Sequence, residues 1–296
     1  MRVVVGGASG FTGTALRSHL REGGHDVVAL VRRDARSQTE SSWDPSTGAV
    51  DQDLIESADV VVNLSGAPIG RIPWTSSYQR QILDSRVSAT RTLARAVARS
   101  ASKPALLSGS GMNAYGNERG PEVLTETSRS GGGFLCSVVR QWEDEAATAA
   151  ESGARVCFLR TCTVIDRSGG VLRRVLPAFR LGLGARLGSG AQYLPCISLT
   201  DWVRAVQHLA ADGTAAGAYN LGIPSPPTNA EFTRALGRHV HRPTLLAVPG
   251  LPLRVALRDL SEPLLGSLRV TPARLLDAGF EFEQPDLDAV LDAALR

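Results

Sequence analysis

The chain alternates short runs of β-branched residues with longer stretches in which apolar residues recur every three or four positions. Val3–Val5, Val27–Val31, Val60–Leu64, Ala105–Ser108 and Val156–Leu159 read as strands, and Thr12–Glu22, Ser76–Ser100 and Phe134–Glu151 as helices between them. The strand runs are apolar at successive positions rather than at every second one. That pattern belongs to strands buried on both faces, in a parallel sheet covered by helices on each side. The expected fold class is therefore α/β, a doubly wound parallel sheet. Its ligand crevice lies at the C-terminal ends of the strands.

The texture changes past about residue 165. Residues 169–189 are rich in Arg, Leu and Gly, and Pro224–Thr228 (PSPPT) marks a rigid turn. Asn229–Val240 reads as a helix; Pro243, Pro249 and Pro252 punctuate the next stretch, and Pro263–Arg296 reads as short helices around GFEF. The expected organisation is a nucleotide-binding domain over residues 1–165, re-entered near 195–222 with a strand at Ala218–Leu221. Residues 166–296, including the tail 245–296, form a smaller mixed C-terminal lobe over the crevice.

Chemistry enters directly after the first strand. Gly6-Gly7-Ala8-Ser9-Gly10-Phe11-Thr12-Gly13 lies between Val3–Val5 and a helical TALRSHL, so a GGxxGxxG pattern sits between strand and helix. Glycines let the backbone approach a pyrophosphate, and the helix N-terminus offers free N–H groups and partial positive charge. Gly7, Ser9, Gly10, Phe11, Thr12 and Gly13 are the expected contacts of a dinucleotide. The second strand ends at Val31, where an acid would hold the ribose 2′-OH of NAD. Valine stands there, followed by Arg32 and Arg33, and two guanidinium groups suit the 2′-phosphate of NADP(H). Asp34, next along, is the one acid that would favour NAD instead. Leu64-Ser65-Gly66 at the end of the Val60–Leu64 strand would border the cofactor's sugar, and Ser108 the nicotinamide.

Composition narrows the partners. The 296 residues are 43% hydrophobic, ample for a real core, and carry a net charge of +3 with basic and acidic residues interspersed. No nucleic-acid footprint results. No apolar run reaches the about 18 residues that a membrane helix needs, and the N-terminal apolar stretch is too short for a secretory signal. A cytoplasmic protein without a membrane partner is expected. Cys136, Cys157, Cys162 and Cys196 form no CxxC and no cluster with histidine, so buried free thiols are expected and no metal site. Lys103 is the single lysine.

GGASGFTG, NLSGAP and LRTCTVI together resemble the extended short-chain dehydrogenase/reductases. NLSGAPIG with IPWT, SRVSATRTL, SGSGMNAYG and the ending VPGLPLRVAL with SLRVTPARLLDAGFEFEQPDLDAVL are similar to its atypical branch of NAD-dependent epimerase/dehydratase-like "epimerase family" proteins. The resemblance spans nearly the whole chain and is most specific in the C-terminal segment. It implies a Rossmann fold that binds NADP(H), and a lobe that covers an unidentified small-molecule substrate. The helices that pair many superfamily members carry substitutions here, leaving a monomer or a homodimer.

Superfamily enzymes use a Tyr-x-x-x-Lys pair on the helix that here reads FLCSVVRQWEDE, and this chain is expected to lack it. The tyrosine position falls on Phe134 or Leu135 and the lysine position on Val138 or Val139. Lys103 precedes the Ala105–Ser108 strand, at the end away from the crevice, and Arg86 stands near the place of the superfamily's helix-four asparagine. Candidates for proton transfer are Ser110, alone or through a water, and Tyr193 in QYLPCISLTD. Tyr115 reads as structural, Arg160 as ordering the sheet end, Cys162 as a buried thiol, and His208 and His239 as surface or satisfied histidines. Three functions are compatible with this set: an NADP-dependent oxidoreductase or epimerase with an unconventional acid; an inactive NADP(H)-binding redox-linked regulator or scaffold; and a hydrolase or lyase that uses the cofactor structurally.

Overall fold

The structure, a computed structural model, describes residues 1–250 and 265–296. Its centre is a sheet built from β1 (Arg2–Gly6), β2 (Asp26–Val31), β3 (Glu40–Ser42), β4 (Val60–Asn63), β5 (Ala105–Gly111), β7 (Val156–Thr161) and β11 (Gly217–Leu221). The spatial order is β11-β7-β5-β4-β1-β2-β3, and every pairing is parallel. Chain order runs one way from β1 to β3 and the other way from β4 to β11. The reversal lies between β1 and β4, so the crevice opens beyond Gly6 and its register partner Asn63.

Alternate strand residues feed two cores, which explains the continuous apolar runs. Val3, Val5, Val60, Val62 and Leu107 pack with α1 (Phe11–Glu22) and α7 (Leu199–Ala211), where Leu16, Leu20, Trp202 and Leu209 are sealed from solvent. Val4, Val28, Val61 and Leu106 pack with α2 (Gln52–Glu56), α3 (Ser76–Arg99) and α5 (Ala147–Glu151) through Ile55, Leu93, Val97 and Ala149. The helix expected over 134–151 is two, α4 (Phe134–Asp144) and α5. The break falls where Glu145 is drawn to Arg91 of α3 by two hydrogen bonds and Ala146 is sealed into the core. β5 runs three residues past its expected end, to Gly111. Lys103 sits before β5, its Nζ donating to the Ala98 carbonyl, at the end of the sheet away from the crevice.

The remaining chain forms the second layer of organisation. β8 (Thr163–Asp166) pairs with β10 (Cys196–Ser198), and α6 (Gly170–Arg180), α8 (Asn229–His239) and α10 (Leu287–Leu295) close a separate core around Ile165, Leu172, Phe232, Leu236 and Leu291. β9 (Ala185–Leu187) pairs with β12 (Leu246–Val248). β6 (Glu118–Leu124) pairs with β13 (Ser267–Val270), and α9 (Ala273–Asp277) comes next, against β11. The tail expected as short helices therefore includes a strand among its described residues. The expected turn at Pro252 and the start of the tail at Pro263 lie outside the described residues. β11 completes the sheet edge where a returning strand was expected. Among the described residues, no helix is long and apolar enough to cross a membrane.

Candidate active site

The turn between β1 and α1 is closed by close approach. Gly7 has φ +75°, and a Cβ there would stand 2.5 Å from the Leu64 carbonyl carbon. A Cβ on Gly13 would stand 2.3 Å from the Gly7 carbonyl oxygen. The two glycines let the turn fold onto the end of β4 and onto its own helix. Gly10 is the N-cap of α1 and supplies no side chain, and no acid occupies the first turn. The leading N–H groups are left for a ligand, with Ser9 and Gly10 exposed and Thr12 half-buried beside them. The Phe11 ring packs on Gly169 and Gly170 at the start of α6, tying the turn to the C-terminal lobe.

At the end of β2 the two arginines differ. Arg33 donates through Nη1 and Nη2 to both oxygens of Glu40, at 2.9 and 2.7 Å, and to the Asp34 carbonyl at 2.8 Å. The hydrogen bonds from Arg33, then that from the Arg36 backbone, hold the Glu40 carboxyl down at about 2. Arg32 is exposed and makes no hydrogen bond or ion pair among the described residues.

Past β4, the fully buried Asn63 accepts from the Ser65 N–H at 3.1 Å and donates to Thr90 at 2.8 Å. Leu64 and Ser65 thereby turn under Gly7. Ser108 is fully buried and its hydroxyl turns back to the Gly109 carbonyl at 3.3 Å. Ser110, two residues on, reaches across to α4 and donates to Glu143 Oε1 at 2.6 Å.

Glu143 anchors a network that the sequence pattern did not disclose. It accepts from Arg160 Nε and Nη2 at 2.9 Å each; Arg160 Nη1 donates to Tyr115 Oη at 3.1 Å. Tyr115 Oη donates to Asn220 Oδ1 at 2.7 Å, and Asn220 Nδ2 to the Thr271 carbonyl at 2.9 Å. Burial works against the charge on Arg160, but the hydrogen bonds and charge of Glu143 outweigh it and hold the guanidinium above its ordinary value. Burial also raises the Tyr115 hydroxyl, against the pull of Arg160. The one signal for Glu143 was an acid directly after Trp142 on an amphipathic helix, with an arginine ending the neighbouring strand.

Around this network α4 is apolar. Phe134 meets Trp74 edge-on at 5.8 Å, Val138 packs with Tyr78 and Ile82, and Leu135 and Val139 are buried. Tyr193 stands elsewhere. It lines a cavity of about 680 Å³ with Glu118, Gln192 and Ser267, its N–H donates to Ser267 Oγ at 3.1 Å, and Arg269 lies over its ring. No hydrogen bond among the described residues joins Tyr193 to Ser110 or Glu143. His208 hydrogen-bonds the Ala278 carbonyl and His239 the Ala235 carbonyl. All four cysteines are buried and free.

Residues 3–222 match the model of the NAD-dependent epimerase/dehydratase family. The chain belongs to that family. Residues 248–294 of this epimerase-family chain match a second, C-terminal domain of unknown function. It is 41% identical over 293 residues to an epimerase family protein of Mycobacterium bovis, covering 99% of this chain and 97% of that one. The crystal structure of the human epimerase family protein SDR39U1 (isoform 2) with NADPH superposes with a TM-score of 0.91, at 31% identity and 99% coverage of both chains. A nucleoside-diphosphate sugar epimerase from Corynebacterium glutamicum gives a TM-score of 0.82 at 31% identity, covering 100% of this chain and 58% of that one. Within this family member, the strand reversal, the glycine turn and the Ser110–Glu143 network all lie at the C-terminal ends of the central strands.

Proposed function

We propose that this epimerase-family protein binds NADP(H) in the crevice and acts on a hydroxyl- or carbonyl-bearing small molecule as an oxidoreductase or epimerase. The observation that carries the reading is the uncapped N-terminus of α1 behind the Gly7–Gly13 turn. Free N–H groups and the helix dipole there suit a pyrophosphate. Arg32, exposed and without a partner among the described residues, beside a strand end that carries valine rather than an acid, suits the 2′-phosphate. Arg33, held by Glu40, shapes the loop from which Arg32 projects. Leu64, Ser65 and Gly66 would border the sugar. The human relative crystallised with NADPH supports the same choice.

Bound NADP(H) supplies or accepts a hydride. The chain's own part is the proton. When an alcohol is oxidised, its hydroxyl proton passes to Ser110 Oγ while Ser110 passes its own to Glu143 Oε1, and reduction runs in reverse. Arg160 keeps the carboxylate in place with two donors, and the Tyr115 ring and hydroxyl keep Arg160 in place. Tyr193 would meet the far end of the substrate in the 680 Å³ cavity.

Parallel fluorescence titrations with NADPH and NADH test the cofactor. NADPH is expected to bind tighter, and Arg32→Ala to weaken NADPH by about ten- to a hundredfold while leaving NADH unchanged. Arg33→Ala should have the smaller effect. A wild-type protein that bound neither nucleotide would remove the reading.

A further inference from the structure

The crevice holds a cation with no assigned task. Arg86 lies midway along α3, and its Nη1 donates to the Ile82 carbonyl at 2.9 Å and the Ala67 carbonyl at 3.1 Å. Its guanidinium carbon lies 5.1 Å from the centre of the Trp142 ring, and 3.0 Å from where a Cβ on Gly66 would stand. Burial pushes the guanidinium down to about 10, and no carboxylate among the described residues opposes it. The Nε and Nη2 edge makes no hydrogen bond among those residues. Two polar atoms nearby, Ser65 Oγ and Trp142 Nε1, are buried with no hydrogen-bond partner among the described residues. Trp142 itself is 8% exposed.

A half-buried cation with no carboxylate partner among the described residues, beside two buried and unused donors, is a ready site for an oxygen-rich ligand. The location says what that is. The Gly7 turn abuts Leu64 and Ser65; Gly66 and Ala67 come next and touch Arg86; the Trp142 ring reaches across to Gly109 on β5. Arg86 therefore sits beyond the phosphate turn, between the ends of β4 and β5. Its open edge is a two-donor fork matched to a pair of adjacent oxygens.

We propose that Arg86 holds the ribose on the reactive side of the dinucleotide, its Nε–Nη2 edge donating to the two vicinal hydroxyls. This rests on the NADP(H) reading above. α4 offers no cation for that ribose, since Val138 and Val139 are buried in packing and Arg140 is exposed. The charge comes instead from α3, across Trp142.

Two probes separate this role from a structural one: NADPH, and adenosine 2′,5′-bisphosphate, which lacks the reactive ribose. Both are titrated into wild type, Arg86→Ala and Arg86→Lys, with melting temperatures recorded. Arg86→Ala should weaken NADPH by about tenfold or more and leave the bisphosphate unchanged, and Arg86→Lys should recover part of the loss. Unchanged NADPH affinity in Arg86→Ala would overturn the assignment and leave a substrate anion as the occupant. Equal losses for both probes would overturn it too, by showing that Arg86 supports the fold of the whole site. If wild type bound the bisphosphate and not NADPH, the phosphate site would stand and the ribose assignment would fall. If wild type bound neither, the nucleotide reading would fall and this inference with it.

Discussion

Glu143 shows how much a single carboxylate can depend on residues distant in sequence. Its three donors come from β5 and β7, and all reach it within 2.9 Å. Removing the Ser110 hydroxyl leaves the Arg160 pair intact, so Ser110→Ala should fold normally and lose about 100-fold or more in kcat on a turned-over substrate. Glu143→Gln should lose as much and also melt earlier, because Arg160, only 15% exposed, is left without its counter-charge. Equal activity of Ser110→Ala and wild type would remove the proton path. Ser110 was legible as a small polar residue ending a buried strand. Glu143 was not, because an acid near the end of an amphipathic helix looks like a solvated face until Arg160 is seen beneath it. Arg32 and Arg33 looked equivalent in sequence. Only Glu40, brought alongside by β3, separates them.

At the scale of elements, legibility tracked length. Six of the seven central strands were visible: β1, β2, β4 and β5 each bury four or more residues in a row, and β7 and β11 leave shorter runs. β3, β9, β10 and β12, at three residues each, are too short to show a period, and β9, β10 and β12 pair with strands far away in sequence. The split between α4 and α5 was hidden because the apolar spacing continues across it. The β1–α1 turn was fully legible, since its glycines answer to backbone geometry. Gly13→Ala tests it: the new methyl would meet the Gly7 carbonyl at 2.3 Å. The expected result is a loss of NADPH binding and about 1–3 kcal/mol of stability by denaturant unfolding.

Across the whole molecule, the C-terminal lobe is sewn to the sheet edge. Asn220 on β11 joins Tyr115 to Thr271; Glu126 accepts from the N–H groups of Asn220 and Arg274; Arg274 donates to the carbonyls of Ala216 and Ala218. The cysteines lie on both sides of this seam and report on its opening. Burial raises the Cys157 thiol to about 11 and the Cys196 thiol to about 12, and pushes Cys162 further up. With a disulfide reagent at about pH 8, no thiol should react in the native protein, and all four should react together once denaturant unfolds it. Fast reaction of one thiol in buffer would show that the seam opens locally. As pH climbs past the ordinary thiol value of 9.0, the unfolded chain releases protons that the fold retains. Stability contributed by these buried thiols is therefore present below that pH and is lost above it.

The one lysine has a practical consequence. Lys103 stands at the opening of β5, at the far end of a parallel sheet from the crevice. Coupling through side-chain amines can therefore attach this protein to a bead, a sensor chip or a dye at one place only. Every molecule so tethered presents its crevice outward, towards the solution.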